Sequence, residues 1–224
     1  MRLVLAVQTI FLQQGEELVP TGAEVLARFE GPDGAQLTQA DIEDSGWVAI
    51  DNSVSLLAQE TLPQLMREHR TLFFNLSVET LQSKTAFALW LDRLKQMAHA
   101  FPRRIAIEIS NRNLDINDKV IRQRIDLLKE EPISLVLDNA ELTQGPSVVL
   151  MDFEWNYCKI SARDLARIEK TQLKTAIDYC RKSNIHIIAE RVENARLLDA
   201  ANTLRIPFKQ GFALAKPEAL TSTC

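Results

Sequence analysis

Seven side chains able to hold a metal ion or a phosphate sit in or at the end of short, apolar, β-type runs. The runs are 21–29 around Glu24, 72–76 around Asn75, 105–109 around Glu108 and 134–138 ending on Asp138. Further on come 157–161 around Lys159, 186–190 ending on Glu190, and 208–213 around Gln210. Carboxylate and carboxamide oxygens are hard donors suited to Mg²⁺ or Mn²⁺. A set of this kind could hold a cation or meet a phosphate. Spread between residues 24 and 210, the seven act together only if the fold gathers them.

A parallel barrel does gather them, since the C-terminal ends of its strands surround one mouth. Stretches of helical periodicity separate most of the runs. Phe87, Trp90, Leu91, Leu94, Met97 and Ala98 form one buried stripe, and Ile116, Val120, Ile121, Ile125 and Leu128 another on a helix expected over 113–129. A helix is also expected over 49–69, kinked or broken at Pro63. Others are expected over 161–182 and 194–204. Runs 2–11 and 21–29 flank Gln13-Gln14-Gly15 and read as a hairpin; Gly31-Pro32-Asp33-Gly34 is a loop signal. The pattern predicts an α/β fold, a TIM-like (βα)8 barrel with an irregular, antiparallel first strand. An open sheet would concentrate function at its switch point, whereas here polar residues recur at strand after strand. No linker or charge block divides the chain, so a single barrel domain over 1–224 is expected.

A chain of 224 residues can bury such a core, and its 46% apolar content is ordinary. A net charge of −4 argues against direct nucleic-acid binding. Cys158, Cys180 and Cys224 show no metal spacing and read as reduced thiols, Cys158 as a small core residue. The apolar start reads as a strand rather than a signal peptide, and no run is long enough to span a membrane. A soluble, cytoplasmic protein is expected.

These residues carry a resemblance. Glu24-Val25-Leu26-Ala27-Arg28-Phe29 resembles the Glu-Ala/Val-Leu-x-Arg-Trp/Phe signature of EAL domains, the bacterial cyclic-di-GMP phosphodiesterase family. Phe74-Asn75-Leu76-Ser77 is similar to its Asn-Leu-Ser strand end, and Glu108-Ile109-Ser110-Asn111 to its Glu-x-Thr-Glu. Leu137-Asp138-Asn139 sits where the family has Asp-Asp-Phe-Gly, and Lys159-Ile160-Ser161 where it has Lys-Ile-Asp. Ala189-Glu190-Arg191-Val192-Glu193 resembles Ala-Glu-Gly-Val-Glu; Gln210-Gly211-Phe212 with Lys216-Pro217 resembles the closing motif. The motifs run in order over about residues 2–218, and the spacings from Asp138 to Lys159 and from Glu190 to Gln210 agree with the family's.

The resemblance implies roles. Glu24, Asn75, Glu108 and Asp138 resemble the quartet that holds the first Mg²⁺ or Mn²⁺, and Lys159 the lysine that contacts the attacking water. Glu190 resembles the glutamate tied to the second metal or to base catalysis. Arg28 resembles a phosphate contact, and Glu193 and Gln210 belong with the ligand-binding residues. The departures are concentrated on the second half of that site. Asn139 replaces an aspartate that binds the second metal, and Asn111 the glutamate that anchors the following loop. Ser161 replaces the aspartate of Lys-Ile-Asp, and Arg191 a glycine. The loop Ala140-Glu141-Leu142-Thr143-Gln144-Gly145-Pro146 fills glycine positions with other residues.

Such a pattern implies weak or absent hydrolysis. Degenerate members of the family bind cyclic-di-GMP as receptors or act on protein partners, including a transcription regulator of motility, and the expectation here is a regulatory binding protein linked to motility or biofilm formation. A monomer is favoured over a homodimer, because the altered loop is coupled to the family's dimer contacts. The alternative is a weak metal-dependent phosphodiesterase converting cyclic-di-GMP to pGpG. Blander readings stay open. The quartet could be a polar network holding the mouth together, Lys159 a salt-bridge partner of Asp138, and Arg191 a guanidinium beside Glu190 and Glu193 that neutralises the cluster without metal. His69, His99 and His186 do not suggest a zinc site, and Phe153, Trp155 and Tyr157 suggest packing rather than base stacking.

Overall fold

A hairpin starts the chain, as its two alternating runs around Gly15 require. In the computed structural model, which describes residues 2–30, 36–37, 46–142, 145–167 and 170–220, β1 (Arg2–Gln14) and β2 (Glu17–Glu30) pair antiparallel with Gln8 opposite Glu24. Gly15 makes the reversal at φ 62°, a conformation that suits glycine. A short β3 (Gln36–Leu37) extends β2. The loop signal at Gly31-Pro32-Asp33-Gly34, Thr143-Gln144 and Cys224 lie outside the described residues.

Strands and helices then alternate. α1 (Gly46–Glu68) leads to β4 (Thr71–Leu76), then α2 (Val78–Gln82) and α3 (Lys84–Ala100) lead to β5 (Ile105–Ser110). α4 (Lys119–Lys129), β6 (Ser134–Asp138), α5 (Val148–Asp152) and β7 (Tyr157–Ser161) follow. The chain continues through α6 (Ala162–Arg167), α7 (Lys170–Lys182), β8 (His186–Glu190), α8 (Ala195–Thr203), β9 (Phe208–Lys209) and β10 (Glu218–Ala219). Pairing in the order β1-β9-β8-β7-β6-β5-β4-β2 and back to β1 closes an eight-stranded ring, with β10 and β3 as additions. β2 and β4 to β9 pair parallel in sequence, whereas β1 is antiparallel to both neighbours. The expected barrel with its irregular first strand is the fold observed.

Strand alternation splits the core into two. Outward residues such as Leu72, Phe74, Ile107, Leu137, Cys158 and Ile187 pack under the helices. Inward residues Ile10, Phe73, Ala106, Val136 and Ile188, with Tyr157 and Phe208, fill the barrel as a plug. Tyr157 sits edge-on to Phe73 (centroids 5.6 Å apart) and to Phe208 (5.8 Å). Gly22 makes room for this plug, since a Cβ there would lie 3.0 Å from the Phe73 ring and 2.8 Å from the Thr71 carbonyl oxygen.

The helices differ from expectation in places. α1 runs unbroken through Pro63. The helix expected over 113–129 begins only at Lys119, because short polar side chains capture the preceding backbone: Asp115 accepts from the Asn117 N–H and Asp118 caps through the Val120 N–H at 2.7 Å. Val120 therefore falls off the buried stripe and is 41% exposed, while Ile121, Ile125 and Leu128 are fully buried. Within the stretch 161–182 the described residues form α6 and α7. Phe153 and Trp155 pack edge to face, with the Trp155 indole N–H donating to the Val149 carbonyl. Cys158 is a core residue, its Sγ 3.9 Å from that of Cys180. No helix among the described residues is long and apolar enough to cross a membrane.

Candidate functional site

One rule of register builds the site. Two residues beyond each plug residue, the strand again points inward, now at the mouth. Phe73 leads to Asn75, Ala106 to Glu108, Val136 to Asp138, Tyr157 to Lys159, Ile188 to Glu190 and Phe208 to Gln210. On the reversed β1, Ile10 leads back to Gln8, and Glu24 faces Gln8 across the hairpin. All seven residues singled out in the sequence thus reach one end of the barrel.

Lys159 is the hub. Fully buried, its Nζ lies 2.6 Å from Glu24 Oε2 and 2.7 Å from Glu108 Oε1. Glu24 also accepts from Asn75 Nδ2 and Gln210 Nε2, each at 2.9 Å. Gln8 completes this side, accepting from Gln210 Nε2 at 3.3 Å and donating to the Ala215 carbonyl at 3.0 Å. Asp138 is not among the ion-pair partners of Lys159, so the lysine's carboxylates are Glu24 and Glu108 instead. Asp138 instead accepts from the Asn139 side chain beside it at the end of β6.

The other half of the mouth is organised around two residues just past strand ends. Asn139 and Arg191 adopt φ of 52° and 55°. Asn139 Nδ2 donates to Asp138 Oδ2 and its Oδ1 accepts from Arg191 Nη2 at 3.4 Å. Arg191 Nε lies 3.7 Å from Glu190 Oε1. Glu193, expected beside them, turns outward to Arg163 at 2.5 Å. Ser161 uses its Oγ to accept the Arg163 N–H at 3.3 Å. Asn111 donates its backbone N–H to the Asp138 carbonyl at 2.9 Å. Arg28 is half-buried on β2, beyond Glu24 on the same face, and donates to the Ala27 carbonyl at 3.3 Å.

Crowded charge shifts the titrations. Burial pushes the Glu108 carboxyl well above the usual range and the Glu24 charge adds to this, with Lys159 only partly compensating. Glu24 is also penalised by burial, yet Lys159 and the bonds from Asn75 and Gln210 hold it below the ordinary value. Burial and then Asp138 push Glu190 up to about 7, against the pull of Lys159 and Arg191. Burial raises Asp138 as well, and the Glu24 charge adds to this. Burial disfavours the Lys159 charge, but Glu108, Glu24, Asp138 and Glu190 outweigh it and raise its pKa.

Such a cluster fits a hard divalent ion by its donors. Glu24, Asn75, Glu108 and Asp138 offer oxygens, and the buried Oε1 atoms of Glu190 and Gln210 have no hydrogen-bond partner among the described residues. The donors are not preassembled, and no three of the described carboxylates, histidines or cysteines stand in ready ligation geometry. The Lys159 ammonium between Glu24 and Glu108 accounts for that.

Gln8 was missed by sequence reasoning, and counting the hairpin register back from Glu24 would have found it. Also missed was Asp51, a buried carboxylate accepting from the Ser77 N–H at 2.9 Å and from the Ser77 and Thr80 hydroxyls at 2.6 Å each, just past the Asn75 strand end. It carries no signal in the sequence.

A family model described as the EAL domain matches residues 2–217. The probable cyclic di-GMP phosphodiesterase PdeG of Escherichia coli (strain K12) is 27% identical over 222 residues, covering 91% of this chain and 42% of the relative. The chain thus spans less than half the length of that curated relative. Bacillus subtilis YkuI, solved with cyclic-di-GMP and calcium, superposes with a TM-score of 0.80 at 19% identity, over 98% of this chain and 55% of that one. Klebsiella pneumoniae BlrP1, solved with manganese and cyclic-di-GMP, gives 0.76 at 20% identity, over 98% and 56%. At these identities the superpositions speak for the fold.

Proposed function

This chain belongs to the EAL domain family, related to cyclic-di-GMP phosphodiesterases, and from that premise we propose that it is a regulatory binding protein of cyclic-di-GMP-linked signalling, with hydrolysis weak or lost. The observation that carries this reading is the pair at the ends of β6 and β8. An amide and a guanidinium stand at Asn139 and Arg191, hydrogen-bonded to each other, beside Asp138 and Glu190. Neither can act as a base, and neither brings the negative charge that a second divalent ion needs. The protein works in the bacterial cytoplasm, as a monomer, either as a nucleotide receptor or through a protein partner of the transcription-regulator kind that governs motility or biofilm formation. It makes no direct contact with nucleic acid or membrane.

Glu24, Asn75, Glu108 and Asp138 would hold one Mg²⁺ or Mn²⁺. When bound, such an ion supplies Lewis-acid charge at phosphoryl oxygens and lowers the pKa of water. Lys159 presents an ammonium fixed by Glu24 and Glu108, and Arg28 lies along the same face as a phosphate contact.

A second reading, a weak metal-dependent phosphodiesterase giving pGpG, is favoured by Glu190. A carboxyl near pKa 7 at the mouth is poised to accept a proton. Calorimetric titration of cyclic-di-GMP in Ca²⁺, paired with a hydrolysis assay in Mn²⁺, separates the readings. Binding without turnover selects the receptor, neither selects the protein-partner role, and brisk turnover defeats the first reading.

A further inference from the structure

We propose that the Arg191 guanidinium serves as a fixed second cation at the barrel mouth, so that the site takes a single divalent ion and grips a phosphodiester between that ion and Arg191. This rests on reading the mouth as a cyclic-di-GMP site. The placement carries the argument. Asn139 and Arg191 each follow directly on a strand-end carboxylate, and each adopts the left-handed conformation that a non-glycine residue enters at a cost. Both side chains thereby reach across the β7 strand end. A continuous polar path runs from Asp138 through Asn139 and Arg191 to Glu190. Arg191 keeps 54% of its side chain exposed, which leaves N–H donors free of Asn139 and Glu190 for a ligand entering the mouth. The planar guanidinium fork matches phosphate oxygens.

Charge balance sets the stoichiometry. Glu24, Glu108, Asp138 and Glu190 oppose Lys159 and Arg191, leaving two formal negative charges, which one divalent ion neutralises. Glu193 does not enter this count, being held outside by Arg163. The partnerless Oε1 atoms of Glu190 and Gln210 are the donors still to be satisfied. Replacing Asn139 by aspartate and Arg191 by glycine would subtract one positive charge and add one negative, leaving four, the count two divalent ions need.

The test is Mn²⁺ stoichiometry, by calorimetry and by electron paramagnetic resonance. The wild-type chain is expected to bind one Mn²⁺ with the signal of an isolated ion. The double variant Asn139→Asp/Arg191→Gly is expected to bind two, with spin–spin coupling between them. Two coupled ions in the wild type, or one in a folded double variant, overturn the proposal. In Ca²⁺, Arg191→Ala should weaken cyclic-di-GMP binding at least about tenfold, with Arg191→Lys intermediate; unchanged affinity overturns the grip. Two ions in a wild type that still binds the nucleotide would sink this proposal and leave the function standing. No Mn²⁺ and no nucleotide bound would overturn this proposal and the receptor reading, leaving the protein-partner role.

Discussion

Replacing Lys159 by methionine removes the one ammonium that two buried carboxylates share. Its Nζ lies 2.6 Å from Glu24 and 2.7 Å from Glu108, and the Lys159 and Glu108 side chains are 1% and 0% exposed. Methionine fills similar volume, so the loss is electrostatic rather than a cavity. Stranding a buried charge by removing its partner costs about 3–5 kcal/mol. For a chain of this length that lowers the melting temperature by roughly 10 °C. The cost depends on pH with a definite sign. In the variant the Glu108 carboxyl, already raised in the wild type, rises further. Its contribution is stabilising while the carboxyl is protonated and is lost as pH climbs through the folded pKa. Lys159 itself stays charged throughout, since its carboxylate neighbours raise its pKa. Taking up one proton between pH 8 and pH 5.5 recovers about 3 kcal/mol. Urea unfolding in EDTA should therefore show most of the destabilisation at pH 8 and little at pH 5.5. A loss under about 1 kcal/mol at both pH values would refute Lys159 as the neutralising hub.

Other outcomes follow from the same geometry. Glu190, pushed up to about 7, must lose its proton for the mouth to reach full negative charge, so apparent Mn²⁺ affinity should rise from pH 6 to pH 8 with proton release, read as a buffer-dependent calorimetric enthalpy. Glu190→Gln should flatten that dependence. A Cβ on Gly211 would lie 2.2 Å from the Val192 backbone nitrogen, so Gly211→Ala should destabilise by about 3 kcal/mol and loosen the β8–β9 lip that presents Gln210, visible as faster amide exchange there. Phe73→Ala removes a buried ring of the plug two residues before Asn75 and should cost about 3–5 kcal/mol in urea unfolding while keeping the barrel's circular dichroism.

How much was legible depends on how local each signal is. Strand ends were readable because period-two alternation puts every second residue inward and the plug residues are large and apolar; that is why Asn75, Glu108, Asp138, Lys159, Glu190 and Gln210 all reach the mouth. Pairwise contacts were not readable, since they depend on which side chains meet across the closed barrel. Lys159 was open to pairing with Asp138 but meets Glu24 and Glu108, and Glu193 turns to Arg163 rather than to Arg191. Gln8 was hidden because its role exists only through its antiparallel partner Glu24. The start of α4 was masked by apolar periodicity running back across Asp115 and Asp118, whose side chains bind their own backbone and hold off the helix.

The claim that this barrel binds without effective turnover meets its most direct test in a single-turnover assay. Wild type and the Asn139→Asp/Arg191→Gly variant, each in excess over cyclic-di-GMP with saturating Mn²⁺, would be followed for pGpG. The account predicts little or no product above the Mn²⁺-only control for the wild type and clearly faster product formation for the variant. Wild-type turnover equal to or faster than the variant's would contradict it.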